Sequence, residues 1–151
     1  VTGDKVSGGY EAGFVHTEQQ VAVVTKALRQ TRWTKPVNVH IFGQTIRHDD
    51  DMGPVRFKVR PGIGFGGAKG YRVVAQTRAE VEVVRRTLEY ALLSGFKAGD
   101  RVQTLVLLHG RTDRPAGTKA TVTNIDVGGL VVTFDGDEGE YSCAPWWFEV
   151  A

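Results

Sequence analysis

Arg101-Val102-Gln103-Thr104-Leu105-Val106, Ala120-Thr121-Val122-Thr123-Asn124-Ile125 and Leu130-Val131-Val132-Thr133-Phe134 are three short apolar runs in the last third of the chain. Turn residues cut them apart: Pro115-Ala116-Gly117-Thr118 before the second run and Gly128-Gly129 before the third. Glu140-Tyr141-Ser142-Cys143 and Trp147-Phe148-Glu149-Val150 complete the series. Several short strands separated by turn signals read as a small all-β unit. The expectation is a compact β-barrel over residues 98–151. A module of this kind points to binding rather than catalysis, and its fold alone does not fix what it binds.

The same segment resembles the SH3-like small barrels, the broad group that includes Tudor, KOW and bacterial SH3-type modules. The residues that carry the likeness are Ala98-Gly99-Asp100-Arg101-Val102, the turn Pro115-Ala116-Gly117-Thr118, and Thr121-Val122-Thr123-Asn124-Ile125-Asp126. Gly129-Leu130-Val131-Val132-Thr133-Phe134-Asp135 and Pro145-Trp146-Trp147-Phe148-Glu149-Val150 complete it. Of Trp146 and Trp147, strand alternation would bury one and expose the other; the other reading half-buries both as a lid. An exposed tryptophan beside Tyr141 would offer a contact for a peptide or a base.

Upstream, residues 10–95 read as a basic α/β unit. Thr17-Glu18-Gln19-Gln20 has the form of a capping box, and Val21, Val24 and Leu28 recur at helical spacing, which predicts a helix from about Glu18 to Arg32. Thr77-Arg78-Ala79-Glu80 is a second box, followed by Val81, Val84, Leu88 and Leu92, which predicts a helix over about 78–93 ended by Ser94-Gly95. Between them lie strand candidates at Val37–Phe42, Val55–Arg60 and Tyr71–Ala75, with a further short one at Phe14–His16. The expected architecture is α+β: a three-stranded antiparallel sheet with one face wet and the other covered by two helices. The order helix–strand–strand–strand–helix is similar in topology to the double-stranded-RNA-binding domain. That family grips phosphates with lysines at the start of its second helix, where this chain has Glu80 and Glu82, so no residue is carried over.

The net charge of +2 conceals an asymmetry. From Lys26 to Arg86 thirteen bases outnumber five acids, a local +8, whereas from Thr87 onward five bases face nine acids, a local −4. A basic region of this kind suits a polyanion, although charge bears on solubility first. The wet face of Val55–Arg60 would present Arg56, Lys58 and Arg60, with Lys69 and Arg72 nearby. These five are the candidate phosphate contacts.

Arg60-Pro61-Gly62-Ile63-Gly64-Phe65-Gly66-Gly67-Ala68-Lys69-Gly70 joins two predicted strands. Phosphate loops of nucleotide-binding proteins instead join a strand to a helix, so this loop is expected to be a flexible hairpin tip. Its Phe65 and Lys69 could grip a backbone or a protein groove. Gly66-Gly67-Ala68-Lys69 resembles a motif of amino-acid dehydrogenases, but no nucleotide-binding unit accompanies it. His48-Asp49-Asp50-Asp51 reads as a solvated turn rather than a metal site, because four consecutive residues cannot converge on one ion. The acidic run Asp135–Glu140 lacks the ligand spacing of a calcium loop. His16, His40, His48 and His109 are scattered, and Cys143 sits beside aromatics as a small hydrophobe.

No catalytic residues, metal or cofactor are implied. One cysteine, no apolar run long enough to span a bilayer and no signal-peptide pattern lead to the expectation of a cytoplasmic protein. The first nine residues are polar and glycine-rich and are expected to fray. Two functions fit. One is a non-enzymatic nucleic-acid-binding accessory protein using Arg56, Lys58, Arg60, Lys69 and Arg72. The other is a protein-interaction adaptor or inhibitor, phage- or plasmid-borne, using Phe65, Tyr141, Trp146 and Trp147.

Overall fold

The structure, a computed structural model, describes residues 5–6, 8–64, 67–109, 113–127 and 129–151. Among the described residues it is a mixed α+β structure with two α-helices and three antiparallel sheets. The first sheet has the order β1-β2-β6-β5, built from Lys5–Val6, Gly9–Val15, Lys69–Ala75 and Phe57–Ile63. The second is a two-stranded ribbon of β3 (Arg32–Ile41) and β4 (Gln44–Pro54). The third has the order β10-β9-β8-β7-β11, from Tyr141–Cys143, Gly129–Phe134, Lys119–Asp126, Arg101–Thr104 and Phe148–Val150. Among the described residues no pairing joins β10 to β11, so its edges are not closed by hydrogen bonds.

Helix α1 (Glu18–Arg29) begins as its sequence predicts. The Thr17 hydroxyl accepts from the Gln20 backbone N–H at 3.1 Å, and the Gln20 side-chain oxygen accepts from the N–H groups of His16 and Thr17 at 2.7 and 3.3 Å. The second box does not form. The Thr77 hydroxyl donates to the Glu80 carboxylate at 2.8 Å, a 3-10 turn occupies Arg78–Glu80, and α2 runs from Val81 to Leu93. The physical reason is that Glu80 is fully buried and its carboxylate serves Arg56 instead of a backbone cap.

The expected three-stranded sheet is four-stranded, and the Val37–Phe42 segment lies outside it. Phe42 and Gly43 make a two-residue turn that folds β4 back onto β3, with Ile41 opposite Gln44. The two strands thereby pair with each other, and the chain re-enters the core only at Val55. The inward strand is supplied by β2, whose Ala12 and Val15 are fully buried, and the segment expected to fray is already paired at Lys5–Val6. His48–Asp51, expected to be a turn, belongs to β4. Asp49, Asp50 and Asp51 lie opposite Pro36, Lys35 and Thr34 of β3, and Arg32 holds Asp51 at 2.7 Å.

Buried side chains form two clusters. One joins α1, α2 and the first sheet through Val24, Leu28, Val73, Val84 and Leu88. The other fills the third sheet through Val102, Val122, Leu130, Val132 and Phe148. Leu93, at the end of α2, belongs to the second cluster, while Trp146 packs on the first. Gln20 also donates to the Trp146 carbonyl at 3.2 Å. The two packed regions are therefore tied by side chains as well as by the short connection through Gly95. Among the described residues no helix is long and apolar enough to cross a membrane.

Candidate functional site

A cleft of about 1260 Å³ lies between the end of the first sheet and the third sheet. One wall carries Phe14, His16, Lys69 and Arg72; the other carries Tyr141, Trp146 and Trp147 together with residues 105–109 after β7. Residues expected to serve two different partners thus meet in one place. Phe65 lies outside the described residues.

Glycines build the first wall. A Cβ on Gly64 would come within 2.9 Å of the Phe14 ring, and one on Gly70 within 2.6 Å of it. A Cβ on Gly62 would crowd the Arg72 side chain at 3.1 Å. Glycine at these positions lets Phe14 and Arg72 come close to the backbone there, a use of missing side chains for close approach. The loop read as a loose tip thus has a packing role in its flanks. His16 meets Phe14 edge-to-face at 5.1 Å between ring centres. Burial pushes the His16 imidazole below its ordinary value, and a hydrogen bond with the Lys69 backbone works in the opposite direction. His16 Nδ1 is buried without a hydrogen-bond partner.

The five candidate phosphate contacts do not form one face. Arg60 and Arg72 sit directly opposite on β5 and β6, and strand alternation puts Lys58 on that same face. Lys69 has the opposite parity on β6 and reaches the cleft instead. Arg56 precedes β5 and is bound to Glu80 by its backbone N–H at 2.7 Å and its guanidinium at 3.0 Å. That pairing ties Arg56 to the turn that opens α2, while its side chain stays about half exposed. Arg72 donates to Glu11 at 3.2 Å and to the Ile63 carbonyl at 3.1 Å. Two arginines opposite each other on one face repel, and Glu11 offsets part of that repulsion.

On the other wall, Arg114 lies 4.0 Å above the Phe134 ring and 5.2 Å from that of Tyr141. Its guanidinium meets Asp137 at 2.8 Å, and the Tyr141 hydroxyl donates to the same carboxylate at 3.0 Å. The tryptophans are both half-buried, on a 3-10 turn Pro145–Trp147 whose residues point about a third of a turn apart. Trp146 packs on the first cluster and Trp147 on the second. Cys143 also borders the cleft, and burial pushes its thiol up. Among the described residues no three His, Cys, Asp or Glu gather in a way that could hold a metal ion.

Sequence reasoning did not find Glu11, Phe14, His16 and Arg114. Their positions follow from pairings such as Phe14 opposite Arg72 and Leu108 with Arg114, which no local pattern signals. Compared with known proteins, the chain matches no family model, no curated protein and no solved structure.

Proposed function

We propose that this chain is a small non-enzymatic nucleic-acid-binding protein. The observation that carries the reading is that Lys69 and Arg72 share a cleft with Phe14, Tyr141, Trp146 and Trp147. Cations that follow a phosphate backbone beside aromatic rings on which bases stack form the usual chemistry of single-strand binding. Lys58 and Arg60 extend the cationic run along β5, with Arg72 common to the sheet face and the cleft. In this reading phosphate contacts supply most of the affinity and little sequence preference. The third sheet is an SH3-like module in this proposal, supported by its strand order and by the 3-10 turn before β11. The one cysteine, unpaired and buried, fits work in the cytoplasm.

The test is titration of labelled single- and double-stranded DNA and RNA with wild type, Lys58→Glu, Lys69→Glu and Trp146→Phe. The reading expects both charge reversals to weaken binding strongly while the fold stays intact. Unchanged affinity in both would reject it.

A second reading is favoured by one observation. Arg72 and Arg114 are already engaged by Glu11 and Asp137, which leaves the cleft less cationic than its composition implies. An extended peptide of a protein partner would then occupy it, as in an adaptor or inhibitor. Aromatic substitutions would abolish that binding and charge reversals would matter little.

A further inference from the structure

The β3–β4 ribbon is covered by none of the described elements. From Thr34 to Pro54 every side chain is exposed or half-buried. At roughly 3.4 Å per residue its strands reach about 30 Å. An isolated two-stranded ribbon is marginal in water, but this one is rooted. Trp33 and Val55 are buried in the first cluster, and the Val55 N–H donates to the Thr31 carbonyl at 2.9 Å.

The register divides the ribbon into two faces. Val37, Val39, Ile41 and Ile46 share one; Asn38, His40, Thr45 and Arg47 share the other. On the polar face Asn38 sits opposite Arg47, and His40 opposite Thr45 with a 3.0 Å hydrogen bond between them. Charge is also divided. Residues 37–48 carry Arg47 and no acid, whereas Asp49, Asp50 and Asp51 collect toward the root. At the tip, Phe42 has φ 50° and Gly43 φ 76°. A two-residue turn with both angles positive favours asparagine and glycine, and a bulky residue there is strained. This Phe is 99% exposed, so packing within the chain does not explain it. Strain held at an exposed tip is a mark of function.

We propose that the ribbon is an arm that reads the major groove of duplex DNA. That groove admits a two-stranded ribbon, while the deep, narrow major groove of A-form RNA does not. Asn38 and Arg47 are of the types that pair with adenine and guanine edges. Thr45 and His40 complete the polar face, and Phe42 meets the apolar surface of the bases at the tip. The acid-free outer half is the part that passes between phosphates. This inference rests on the nucleic-acid reading above and adds the ligand class and a second surface to it.

The test uses the full chain and three labelled probes: a duplex DNA of about two turns, the matching RNA duplex and a single-stranded DNA. The arm predicts tighter binding to the DNA duplex than to the RNA duplex. Asn38→Ala combined with Arg47→Ala should weaken duplex DNA binding about tenfold or more, and leave single-stranded DNA within about twofold. Phe42→Asn relieves the turn strain, so it should keep or raise Tm while still losing duplex affinity. Unchanged duplex affinity in these variants, with Lys69→Glu still impaired, overturns the arm and leaves the cleft reading standing. An effect seen only as a change from dimer to monomer in sedimentation also overturns it, in favour of a second copy on the ribbon. A wild type that binds none of the probes overturns both.

Discussion

Glu80 accepts two hydrogen bonds from Arg56, from the backbone N–H at 2.7 Å and from the guanidinium at 3.0 Å. The Glu80 side chain is fully buried while that of Arg56 is about half exposed. The pair fixes the start of β5 against the turn that opens α2. Removing one partner of a buried pair leaves the other uncompensated, which costs more than the pair itself contributes. Glu80→Gln should lower stability by about 1–3 kcal/mol, read as a fall in the denaturant midpoint. Arg56→Gln should also destabilise but leave nucleic-acid affinity within about twofold, since the Arg56 guanidinium is engaged by Glu80 and does not line the cleft. A large affinity loss in folded Arg56→Gln would return Arg56 to the binding surface.

Gly70→Ala tests the glycine wall. The added Cβ would collide with the Val15 carbonyl and approach the Phe14 ring at 2.6 Å. A ring can turn aside, but a paired strand's backbone cannot. The expected loss is about 1–3 kcal/mol, accompanied by altered chemical shifts for Phe14 and His16. Gly67→Ala is the comparison: nothing lies within 4 Å of its Cβ, and only its positive φ of 81° opposes the change. Equal stability of Gly70→Ala and wild type would contradict the packing described.

Asp137 gives the third sheet an acid limit. The Gly139 N–H, Arg114 and the Tyr141 hydroxyl hold its carboxyl down at about 2, against an ordinary 3.8. A depressed folded-state value stabilises the fold above the unfolded value, and that stability is lost as pH falls through the folded one. The window is therefore about pH 4 down to 2. Asp137→Asn should be less stable than wild type at neutral pH, and the two should converge within that window. Parallel curves throughout would contradict the network.

Gln20 links the helical region to the third sheet. It receives the His16 and Thr17 N–H groups and donates to the Trp146 carbonyl. Gln20→Ala keeps the Thr17 cap but loses the bonds of its own side chain, which should cost about 1 kcal/mol and shift the tryptophan fluorescence toward longer wavelength. A destabilised variant with unshifted emission would show that the bonds to His16 and Thr17 matter and the tie to Trp146 does not.

The helices and most strands were legible because their signals are local. Thr17 and Gln20 lie three residues apart, and Val55, Phe57 and Val59 alternate. The ribbon was not. Val37, Val39 and Ile41 alternate as a core strand would, and only the Phe42-Gly43 turn, unusual in having Phe, sends them into solvent. The Asp49–Asp51 run resembles a turn by composition, yet pairing with β3 makes it strand. Glu80 follows the capping grammar, but a tertiary partner, Arg56, overrides it. The cleft was half legible: Lys69, Arg72, Tyr141, Trp146 and Trp147 stood out by residue type. That they share one cleft depends on contacts between distant segments.

On the proposed reading, the cleft holds nucleic acid through Lys69 and Arg72 beside its aromatic side chains. The most direct measurement is the affinity of wild type and Lys69→Gln for labelled single-stranded DNA across a salt series. The account predicts affinity that falls steeply with salt, and a log–log slope reduced by about one in the variant, as one phosphate contact is lost. No binding at low salt, or binding indifferent to both salt and Lys69, would contradict it.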